Sequence, residues 1–360
     1  MGGRLASKKK SGRTTLMDVA RESGFSVSTV SLVLNEAPLS RYVAASTKAV
    51  VRETAERLGY RPDASARSLR SRRSETIGIM VFDISDPFCT LILKGIEETL
   101  SPTSYLPIIM DAHNEIKQFQ RYLQMLLERR VEGLIVIANW LFVNINPLAD
   151  LEREHIPIVL VGQQRHFGAM SSVIVDNEAG GYLALEHLHN LGHRDIAVVR
   201  GPVHLPDSGK RWAGMLKLAG EAGIKLRPEW TVDLPNVSDP NSGFAGGYRL
   251  MTDMLKRNER FSAVAAFDDM TAFGVIRALR QAGLRVPEDC SVIGFDDVPF
   301  AELASPSLTT IRQPMEQMGA LAAEHVLKGI QAMNDEQPVV GEHRQMQPVL
   351  VSRESTMSRK

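Results

Sequence analysis

Several short apolar runs in this chain end in a carboxylate or a glycine, residue types that can surround a small polar ligand. These residues are Asp83, Gly162, Asp176, Gly201, Asp268, Asp269, Asp296 and Asp297. A carboxylate accepts hydrogen bonds and therefore suits the hydroxyl groups of a polyol. The same side chain also caps helix N-termini, and we expect at least Asp176 and Asp269 to do so. The pattern leaves both roles open, a ligand cleft and plain helix capping.

Other patterns that could support catalysis or bind a metal are incomplete. His193-Arg194-Asp195 spells a kinase catalytic triplet, but the Gly-rich loop, strand lysine and Asp-Phe-Gly triplet of kinases are missing, so we expect a loop before a strand. His187 and His189 lie two residues apart and point to different helix faces, which argues against a zinc ion shared with His193. The chain has no phosphate-binding or dinucleotide glycine motif. We expect no metal, no cofactor and no enzymatic activity, although the aspartate pairs leave glycoside hydrolysis as an alternative.

The composition is that of a globular, multidomain protein. Its 360 residues exceed what one compact core holds, so two or three domains are expected. No apolar run approaches the roughly 18–20 residues of a membrane-spanning helix, and the N-terminus lacks the apolar stretch of a secretory signal. The two cysteines, Cys89 and Cys290, form no Cys-x-x-Cys pair, which fits a reducing cytoplasm.

Charge is divided unevenly along the chain, although the net charge is zero. Residues 1–75 carry 15 Lys and Arg against 7 Asp and Glu, an excess of +8, which leaves 27 against 35 for the rest. A basic segment on an otherwise acidic chain is typical of a head that binds a polyanion such as nucleic acid. A solvated basic tail is the simpler alternative for the first residues.

The basic segment also has the pattern of short helices. Thr15 is a candidate N-cap, Gly24 can end a first helix in the left-handed region, and Ser26 can cap a second helix up to Asn35. The residues that this second helix leaves facing out are Val27, Ser28, Ser31 and Leu32. Two helices across such a turn form a helix-turn-helix, whose second helix enters the DNA major groove, although an ordinary αα-hairpin has the same spacing. A third helix is expected around residues 45–58, with an inward face formed by Val50, Val51, Ala55 and Leu58.

From Thr76 onward, short apolar runs alternate with helical stretches. The runs are 77–82, 106–110, 133–137, 158–161, 173–175, 196–199, 264–267 and 292–295. Because they are continuous rather than alternating, they indicate strands buried on both faces of parallel sheets. So many units exceed one compact sheet, and we therefore predict two doubly wound subdomains with ligands outside the carboxyl ends of the strands.

Several ordered motifs fall within the first seventy residues. They are Thr15-Leu16-Met17-Asp18-Val19-Ala20, Gly24-Phe25-Ser26-Val27-Ser28-Thr29-Val30-Ser31, Leu34-Asn35, Leu58-Gly59-Tyr60-Arg61-Pro62 and Ala66-Arg67-Ser68-Leu69. Together they resemble the head and hinge of the LacI/GalR family, in which the hinge folds on operator DNA and a leucine, matched here by Leu69, wedges into the minor groove. The resemblance implies DNA contacts from Thr15, Leu16, Ser26, Val27, Ser28, Thr29, Ser31, Leu32, Asn35, Tyr60, Ala66, Leu69 and Arg70.

The head also departs from the family pattern. Leu32 stands where many members carry an arginine, so bidentate guanine recognition from that position is lost and apolar contact with a thymine methyl group becomes possible. Ala44 replaces the usual serine cap of the third helix, and Asp63 replaces the usual asparagine after Pro62.

The rest of the chain is similar to the family's regulatory core, which resembles periplasmic sugar-binding proteins. The matching segments are 83–88, 193–197, 267–269, 294–298 and 308–314. The resemblance implies effector contacts from Phe88, Arg211, Asp268 and Asp296. Asp83, at the end of its apolar run, is a further effector-binding candidate, and Trp140 and Gln163 are candidates for lining the cleft. Gly162 replaces a ligand-binding aspartate of some members, and the loop 204–207 differs, so the ligand's identity stays open.

The sequence thus predicts a small all-α helix-turn-helix head on a body of the periplasmic-binding-protein type, with two subdomains of doubly wound parallel α/β sheets. We expect a basic tail (1–13), a DNA-binding domain (14–60), a hinge (61–75) and an effector-binding and dimerisation domain (76–360). The expected protein is a cytoplasmic repressor, a homodimer or higher oligomer, that binds operator DNA under control of a sugar-like effector and contacts no membrane. The alternatives are a solute-binding module and a sugar-processing enzyme on the same fold.

Overall fold

A computed structural model describes residues 14–61, 73–137, 156–163, 169–235, 242–257 and 260–359. The chain divides between Ser74 and Glu75 into two compact units. Four residues with predicted roles, Ala66, Leu69, Arg70 and Trp140, lie outside the described residues.

The first unit is a small bundle of helices. It contains α1 (Leu16–Ser23), α2 (Val27–Leu34), a 3-10 turn (Pro38–Tyr42) and α3 (Ala45–Arg57). Their apolar faces meet in one small core, formed by Val19, Ala20, Val30, Val33, Val51 and Ala55. Val50, predicted to lie in this core, is instead 43% exposed, because its neighbour Val51 occupies the inward position on α3.

Side-chain caps set where the first two helices begin. Thr15 and Asp18 form a reciprocal capping box at the start of α1, in which each backbone N–H donates to the other residue's side chain. Gly24 ends α1 in the left-handed region, at φ 77°, and Ser26 then accepts a hydrogen bond from the Thr29 N–H to begin α2. Ala44 gives α3 no side-chain cap, as expected from the missing hydroxyl.

The second unit contains two sheets. The first is built from β1 (Thr76–Val81), β2 (Leu106–Asp111), β3 (Gly133–Ile137), β4 (Ile158–Val161), β5 (Ser171–Val175) and β11 (His343–Met346), in the order β11-β5-β4-β3-β1-β2. The second is built from β6 (Ile196–Arg200), β7 (Thr231–Asp233), β8 (Ala263–Ala266), β9 (Ser291–Asp296), β10 (Thr309–Arg312) and β12 (Val349–Val351), in the order β12-β10-β9-β8-β6-β7. Within the described residues every pairing is parallel except that of β10 with β12.

The predicted fold class is confirmed, and every predicted apolar run coincides with a strand, although Phe82 and Phe267 lie one residue beyond the ends of β1 and β8. Burial on both faces holds for most of them but is wrong for β2, where Leu106 is 63% and Ile109 45% exposed. Because β2 is the last strand of the first sheet, one of its edges has no neighbouring strand and part of its faces stays exposed.

Helices cover both sheets. They are α4 (Pro87–Leu100), α5 (Ile116–Glu128), α6 (Asn177–Asn190), α7 (Pro206–Ala222), α8 (Ser242–Lys256), α9 (Asp269–Gln281), α10 (Pro299–Leu303) and α11 (Met315–Asn334). No helix among these or in the first unit is long and apolar enough to cross a membrane. The helices α6 and α7 approach closely: a Cβ on Gly181 would lie 1.9 Å from the carbonyl oxygen of Arg211.

The chain passes between the two sheets more than once. It leaves the first sheet after β5, enters the second, returns through residues 313–314 into α11, which packs on α4, and finally supplies β11 to the first sheet and β12 to the second. The carboxyl ends of the parallel strands in both sheets therefore border one cleft, and the crossing segments join its two sides.

Candidate functional site

The outward surface of α2 lies at the N-terminal end of that helix. Val27 is 46% exposed and Ser28 is exposed, while Ser31 and Leu32 are half-buried. The helix sequence, Val-Ser-Thr-Val-Ser-Leu-Val-Leu, contains no charged side chain. This surface therefore offers hydroxyl and methyl groups to a partner rather than charges.

Several predicted DNA-contacting residues also hold the head together. Leu16 and Tyr60 pack, partly buried, against the core of the first unit. Thr15 and Ser26 are the two helix caps described above. Asn35 Nδ2 donates to the Ser31 backbone oxygen at 2.9 Å and to Ser31 Oγ at 3.1 Å, which fixes the end of α2.

The cleft of the second unit is bordered by residues from both sheets. Asp86, Phe88, Gly162 and Val175 come from the side of the first sheet, Leu205, Asp207, Arg211, Phe267, Asp268, Met270, Asp296 and Val298 from the side of the second, and Gln313 from the segment that joins them. Three helices, α4, α7 and α9, begin at this cleft. The structure thus brings Phe88, Arg211, Asp268 and Asp296 together, as the sequence predicted.

Arg211 is the anchoring cation of the cleft. Its Nε donates to Asn177 Oδ1 at 2.8 Å and its Nη1 to the Phe267 backbone oxygen at 2.7 Å. Its guanidinium carbon lies 4.6 Å from the ring centre of Phe267 and 3.6 Å from that of Phe295, so the planar group is held between two aromatic faces. Arg211 is therefore a fixed part of the cleft wall.

Two aspartates surround this guanidinium. Asp296 Oδ1 lies 3.7 Å from Arg211 Nη2 and accepts a hydrogen bond from Gln313 Nε2 at 2.6 Å. Asp268 Oδ1 accepts from the Thr271 N–H at 2.7 Å and so caps α9. Burial raises the pKa of both carboxyl groups above the ordinary value, and the positive charge of Arg211 partly opposes it.

The backbone is strained at the same place. Asp296 and Asp297, at the end of β9, have φ of 114° and 61°, values that residues other than glycine rarely adopt. Such strain persists only where surrounding contacts maintain it, and it is found preferentially at functional sites. Here the contacts are Gln313 and Arg211 for Asp296, and Arg312 Nε (2.6 Å) and Arg353 Nη1 (2.7 Å) for Asp297.

Asp269 lies behind the cleft and does not cap a helix, contrary to the prediction. Because α9 begins at Asp269, the capping position falls to Asp268. The Asp269 side chain is fully buried, where Oδ1 accepts from Thr310 Oγ1 at 2.6 Å and Oδ2 from the Val298 N–H at 2.9 Å. Burial raises its pKa to about 8. Asp176 caps α6, as predicted.

Two predicted effector-binding residues take other positions. Asp83 accepts from the Ser85 side chain and from Asn114 Nδ2 at 3.1 Å, and it is not among the described residues that border the cleft. Gln163 is half-buried and follows the bordering Gly162 without bordering the cleft itself. A contact between either residue and a ligand stays a prediction.

Sequence reasoning missed three polar groups of the cleft. Asp86 accepts a hydrogen bond from the Phe88 N–H at 3.0 Å at the start of α4, Asp207 lies in the first turn of α7, and Gln313 lies in the crossing segment. All three occur in segments that the sequence analysis singled out. Asp86 and Asp207 could have been noticed because they stand where helices begin, and Gln313 because it stands where the chain passes between the two sheets. The periodicity of apolar residues does not reveal either position.

Two of the three neighbouring histidines, His187 and His193, bond to other groups of the protein. His187 Nε2 lies 2.9 Å from Thr356 Oγ1, and His193 bonds to the Ser262 hydroxyl and the Met357 backbone oxygen at 2.8 and 3.0 Å. Over the ranges that the structure describes, no three His, Cys, Asp or Glu side chains are arranged to bind a metal ion. Residues 193–195 lead into β6, as expected for a loop before a strand.

A helix-turn-helix unit and a two-sheet unit with a cleft at its strand ends define a DNA-binding regulator with a small-molecule domain. The family model of bacterial regulatory proteins of the lacI family matches residues 15–63, and that of the periplasmic binding protein-like domain matches residues 185–356. The "HTH-type transcriptional repressor PurR" of Erwinia tasmaniensis is 37% identical over 343 residues, which cover 95% of this chain and 96% of that protein. The chain belongs to the lacI family of bacterial regulatory proteins.

Solved structures agree with this assignment. The lac repressor dimer bound to operator and the anti-inducer ONPF is similar with a TM-score of 0.80 and 26% identity, over 96% of this chain and 100% of that chain. The complex of the transcriptional regulator CelR with cellobiose is similar with a TM-score of 0.67 and 27% identity, over 95% of this chain and 100% of that chain. The protein is thus a DNA-binding transcriptional regulator with a small-molecule domain, and not an enzyme.

Proposed function

We propose that this regulator is a cytoplasmic homodimeric repressor, with a head at residues 14–60, a hinge at 61–75 and an effector-binding and dimerisation domain at 76–360. Each head would bind one half of a near-palindromic operator, with half-sites about one helical turn apart. The relatives that bear the name of repressor and the operator-bound lac repressor dimer support this proposal. We further propose that the effector is a sugar or sugar derivative, a class to which the cellobiose bound to CelR belongs.

The observation that carries the proposal is the outward surface of α2. Its N-terminal residues, Val27 and Ser28, follow directly on the Ser26 cap and are exposed, which is where a recognition helix meets base edges. Serine can donate to or accept from a base, and valine can contact a thymine methyl group. Thr15 and Thr29 would then bond to phosphates beside the groove.

Leu32 and the hinge would add sequence preference. Leu32 lies farther along α2 and is half-buried, so its exposed part can meet a methyl group but cannot replace the hydrogen bonds of an arginine. Ala66, Leu69 and Arg70 would act in the minor groove, where Leu69 unstacks a base step and Arg70 neutralises a phosphate.

Effector control would operate through the segments that cross between the sheets. Gln313 lies in one of them and bonds to Asp296 in the cleft, so a ligand that contacts Asp296 can change how the two sheets are held. A ligand alters operator affinity only if it binds the two arrangements unequally.

Selection of bound sequences from random DNA tests the proposal. The wild-type chain should enrich a near-palindromic sequence. Leu32→Arg should change the preferred base at one position in each half-site. The slope of log affinity against log salt concentration should become steeper by no more than about one unit, the contribution of one additional phosphate contact. Lys48→Arg, a conservative change on α3, is the matched control and should enrich the wild-type sequence. An identical consensus for wild type and Leu32→Arg would refute base contact from α2.

A further inference from the structure

A second cavity lies at the opposite end of two strands that border the cleft. Its volume is about 190 Å³, and it lies between the amino ends of β4 and β5, the last turns of α11 and the segment that leads into β11. The cleft borders the same two strands at their carboxyl ends, at Gly162 and Val175. Among the described residues, none borders both spaces, so the second cavity is separate from the proposed effector site.

Most of the described wall of the second cavity is apolar. The strand starts contribute Pro157, Ile158 and Ala169, α11 contributes Ala332, and the segment before β11 contributes Val339. An apolar cavity of about 150 Å³ accepts a benzene ring, so this one has room for a single six-membered ring. Apolar side chains offer no hydrogen bonds to the many hydroxyl groups of a sugar, and the wall therefore favours a ligand with an apolar body.

One buried histidine gives the second cavity a polar group without a partner. His325 lies on α11 with its side chain 1% exposed, and within the part of the chain that the structure describes neither ring nitrogen forms a hydrogen bond. Its Nε2 lies 3.4 Å from Oε2 of Glu342, another residue of the wall, which places this edge of the ring beside the cavity. Buried polar groups almost always have a partner, so His325 has the capacity for a hydrogen bond from a ligand.

The surroundings of His325 favour its neutral form. Burial lowers the pKa of the ring, and the positive charges of Lys328 and Arg344 act in the same direction, while Glu342 and Glu324 oppose them. A neutral imidazole has one N–H donor and one nitrogen that accepts. A hydroxyl group both donates and accepts, so it can satisfy whichever ring nitrogen it meets.

The charged residues of the described wall are engaged with each other. Lys328 Nζ lies 3.7 Å from Glu342 Oε1, and Arg344 Nη2 lies 3.6 Å from Glu342 Oε2. The backbone N–H of Glu342 donates to Ser171 Oγ at 3.1 Å, which holds Glu342 against the start of β5. A ligand carboxylate would compete with Glu342 for these cations, and a ligand ammonium group would compete with the cations for Glu342. The arrangement therefore favours an uncharged ligand.

Hydrogen bonds join the wall of the second cavity to the place where the chain enters the second unit. The backbone oxygen of Pro157 accepts from the Leu134 N–H on β3 at 2.9 Å. Beside the start of β3, Glu132 Oε1 accepts from the Glu75 N–H at 2.8 Å, and the Glu132 N–H donates to the Thr76 oxygen at 2.9 Å. Glu75 is the last residue of the predicted hinge. The cavity wall is thus connected to the end of the hinge through one intervening strand.

We propose that the second cavity is a ligand site that binds a small uncharged molecule of the phenol class, through a hydrogen bond between its hydroxyl group and His325. The aromatic ring of the ligand lies against the apolar wall, and the hydroxyl group supplies the partner that the buried imidazole lacks. Resting on the proposed function, we further expect the bound ligand to change operator affinity, because the wall is connected to the hinge through β3.

Phenol and toluene are matched probes, because they differ only in a hydroxyl group against a methyl group. They are compared on the full chain at pH 7, where phenol is uncharged. We expect phenol to raise the unfolding temperature and to bind about fivefold or more tightly than toluene in calorimetry, since one buried hydrogen bond is gained. Benzoate, which has the same ring and a negative charge, should bind about tenfold or more weakly than phenol.

Three variants locate the ligand. His325→Leu replaces the imidazole by an apolar side chain of similar size and should reduce the preference for phenol over toluene to less than about twofold. Ala332→Leu adds bulk to the wall and should weaken the binding of both probes by about tenfold or more. His189→Leu makes the same change on α6, at a histidine whose Nδ1 is likewise buried without a partner and which is not among the described residues of the wall; it is the control and should alter neither affinity.

Equal affinities for phenol and toluene, or no binding of either, would overturn the site. Phenol binding that Ala332→Leu leaves unchanged would also overturn it, because the ligand would then lie elsewhere. If His325→Leu does not fold, Ala332→Leu decides the location and the comparison of phenol with toluene decides the hydroxyl contact.

Measurement of operator affinity separates the site from its connection to the hinge. We expect saturating phenol to change the operator dissociation constant of the wild-type chain by about threefold or more, and that of His325→Leu by less. Phenol that binds as expected without this change leaves the site in place and contradicts the connection to the hinge. A chain that binds phenol and enriches no operator sequence contradicts the proposed function instead.

Discussion

Asp269 offers a direct test of how the cleft is supported. Its buried carboxyl group connects the start of α9 to Thr310 on β10 and to the Val298 N–H beside the cleft. Burial raises its pKa from 3.8 to about 8, so the folded protein keeps the proton over a range in which the unfolded chain has lost it. We therefore expect Asp269→Asn, a neutral group of the same shape, to remove a pH dependence of stability.

The sign and size follow from proton linkage. The folded state binds more protons than the unfolded state between pH 3.8 and about 8, so the stability that Asp269 contributes is complete below pH 3.8 and is lost as the pH rises towards about 8. At ~1.36 kcal/mol per pKa unit, the whole difference sets an upper limit of ~6 kcal/mol, and the part between pH 5 and pH 8 an upper limit of ~4 kcal/mol. In Asp269→Asn the side-chain NH2 group can donate to the Thr310 hydroxyl, and the side-chain oxygen can accept from the Val298 N–H, so both contacts can be kept.

Urea unfolding at pH 5, 6, 7 and 8 measures this difference. Asp269→Asn should gain stability relative to wild type steadily as the pH rises. Asp289→Asn is the control: its exposed carboxyl group has a pKa lowered to about 2 by Arg285, so it does not titrate in this range and its difference from wild type should be constant. A constant difference for Asp269→Asn as well, or one that shrinks with rising pH, would refute the protonated, buried carboxyl group.

Three further predictions concern a helix cap, a helix contact and the two cysteines. Ser26→Ala removes the cap of α2 and should lower the free energy of unfolding by about 1 kcal/mol, whereas Ser26→Gly should cost only a few tenths, as measured by thermal unfolding. Gly181→Ala places a Cβ 1.9 Å from a carbonyl oxygen across the contact between α6 and α7 and should destabilise the protein by several kcal/mol, while Gly220→Ala, with no atom within 4 Å of its new Cβ, should not destabilise it. Cys89 and Cys290 are buried and their thiol pKa values are raised, that of Cys290 to about 12, so neither should react with a thiol reagent at pH 8 until the chain is denatured; rapid reaction of either in the folded protein would contradict this burial.

Most strands of the two sheets could be predicted because they are continuous apolar runs. Four strands could not: β7, β10, β11 and β12 span three or four residues each, none is a continuous apolar run that the sequence analysis recognised, and β11 is the polar sequence His343–Met346 with mostly exposed side chains. Such strands form because a neighbouring strand is already in place, which periodicity in the sequence does not encode.

The cleft was predictable in its main residues and not in the roles of two adjacent aspartates. Phe88, Arg211, Asp268 and Asp296 follow from the resemblance and do meet in the structure. The exchange of roles between Asp268 and Asp269 depends on a helix boundary that differs by one residue, which is finer than sequence patterns resolve. Both adjacent residues are aspartates, so composition could not distinguish the capping residue from the buried one.

The accumulation of carboxylates in the cleft is a property of the tertiary structure. Asp86 and Asp207 are separated by more than a hundred residues and come from opposite sides of the cleft. Each alone has the pattern of an ordinary acidic residue at a helix start. Their shared environment appears only when both sheets are assembled.

Fluorescence anisotropy with the selected operator, with and without saturating cleft ligand at one fixed salt concentration, tests ligand control of DNA binding most directly. We expect the operator dissociation constant to change by at least tenfold on ligand addition, while binding to unrelated DNA of equal length changes little. An operator dissociation constant that stays the same while the ligand demonstrably stabilises the protein would contradict a repressor controlled through this cleft.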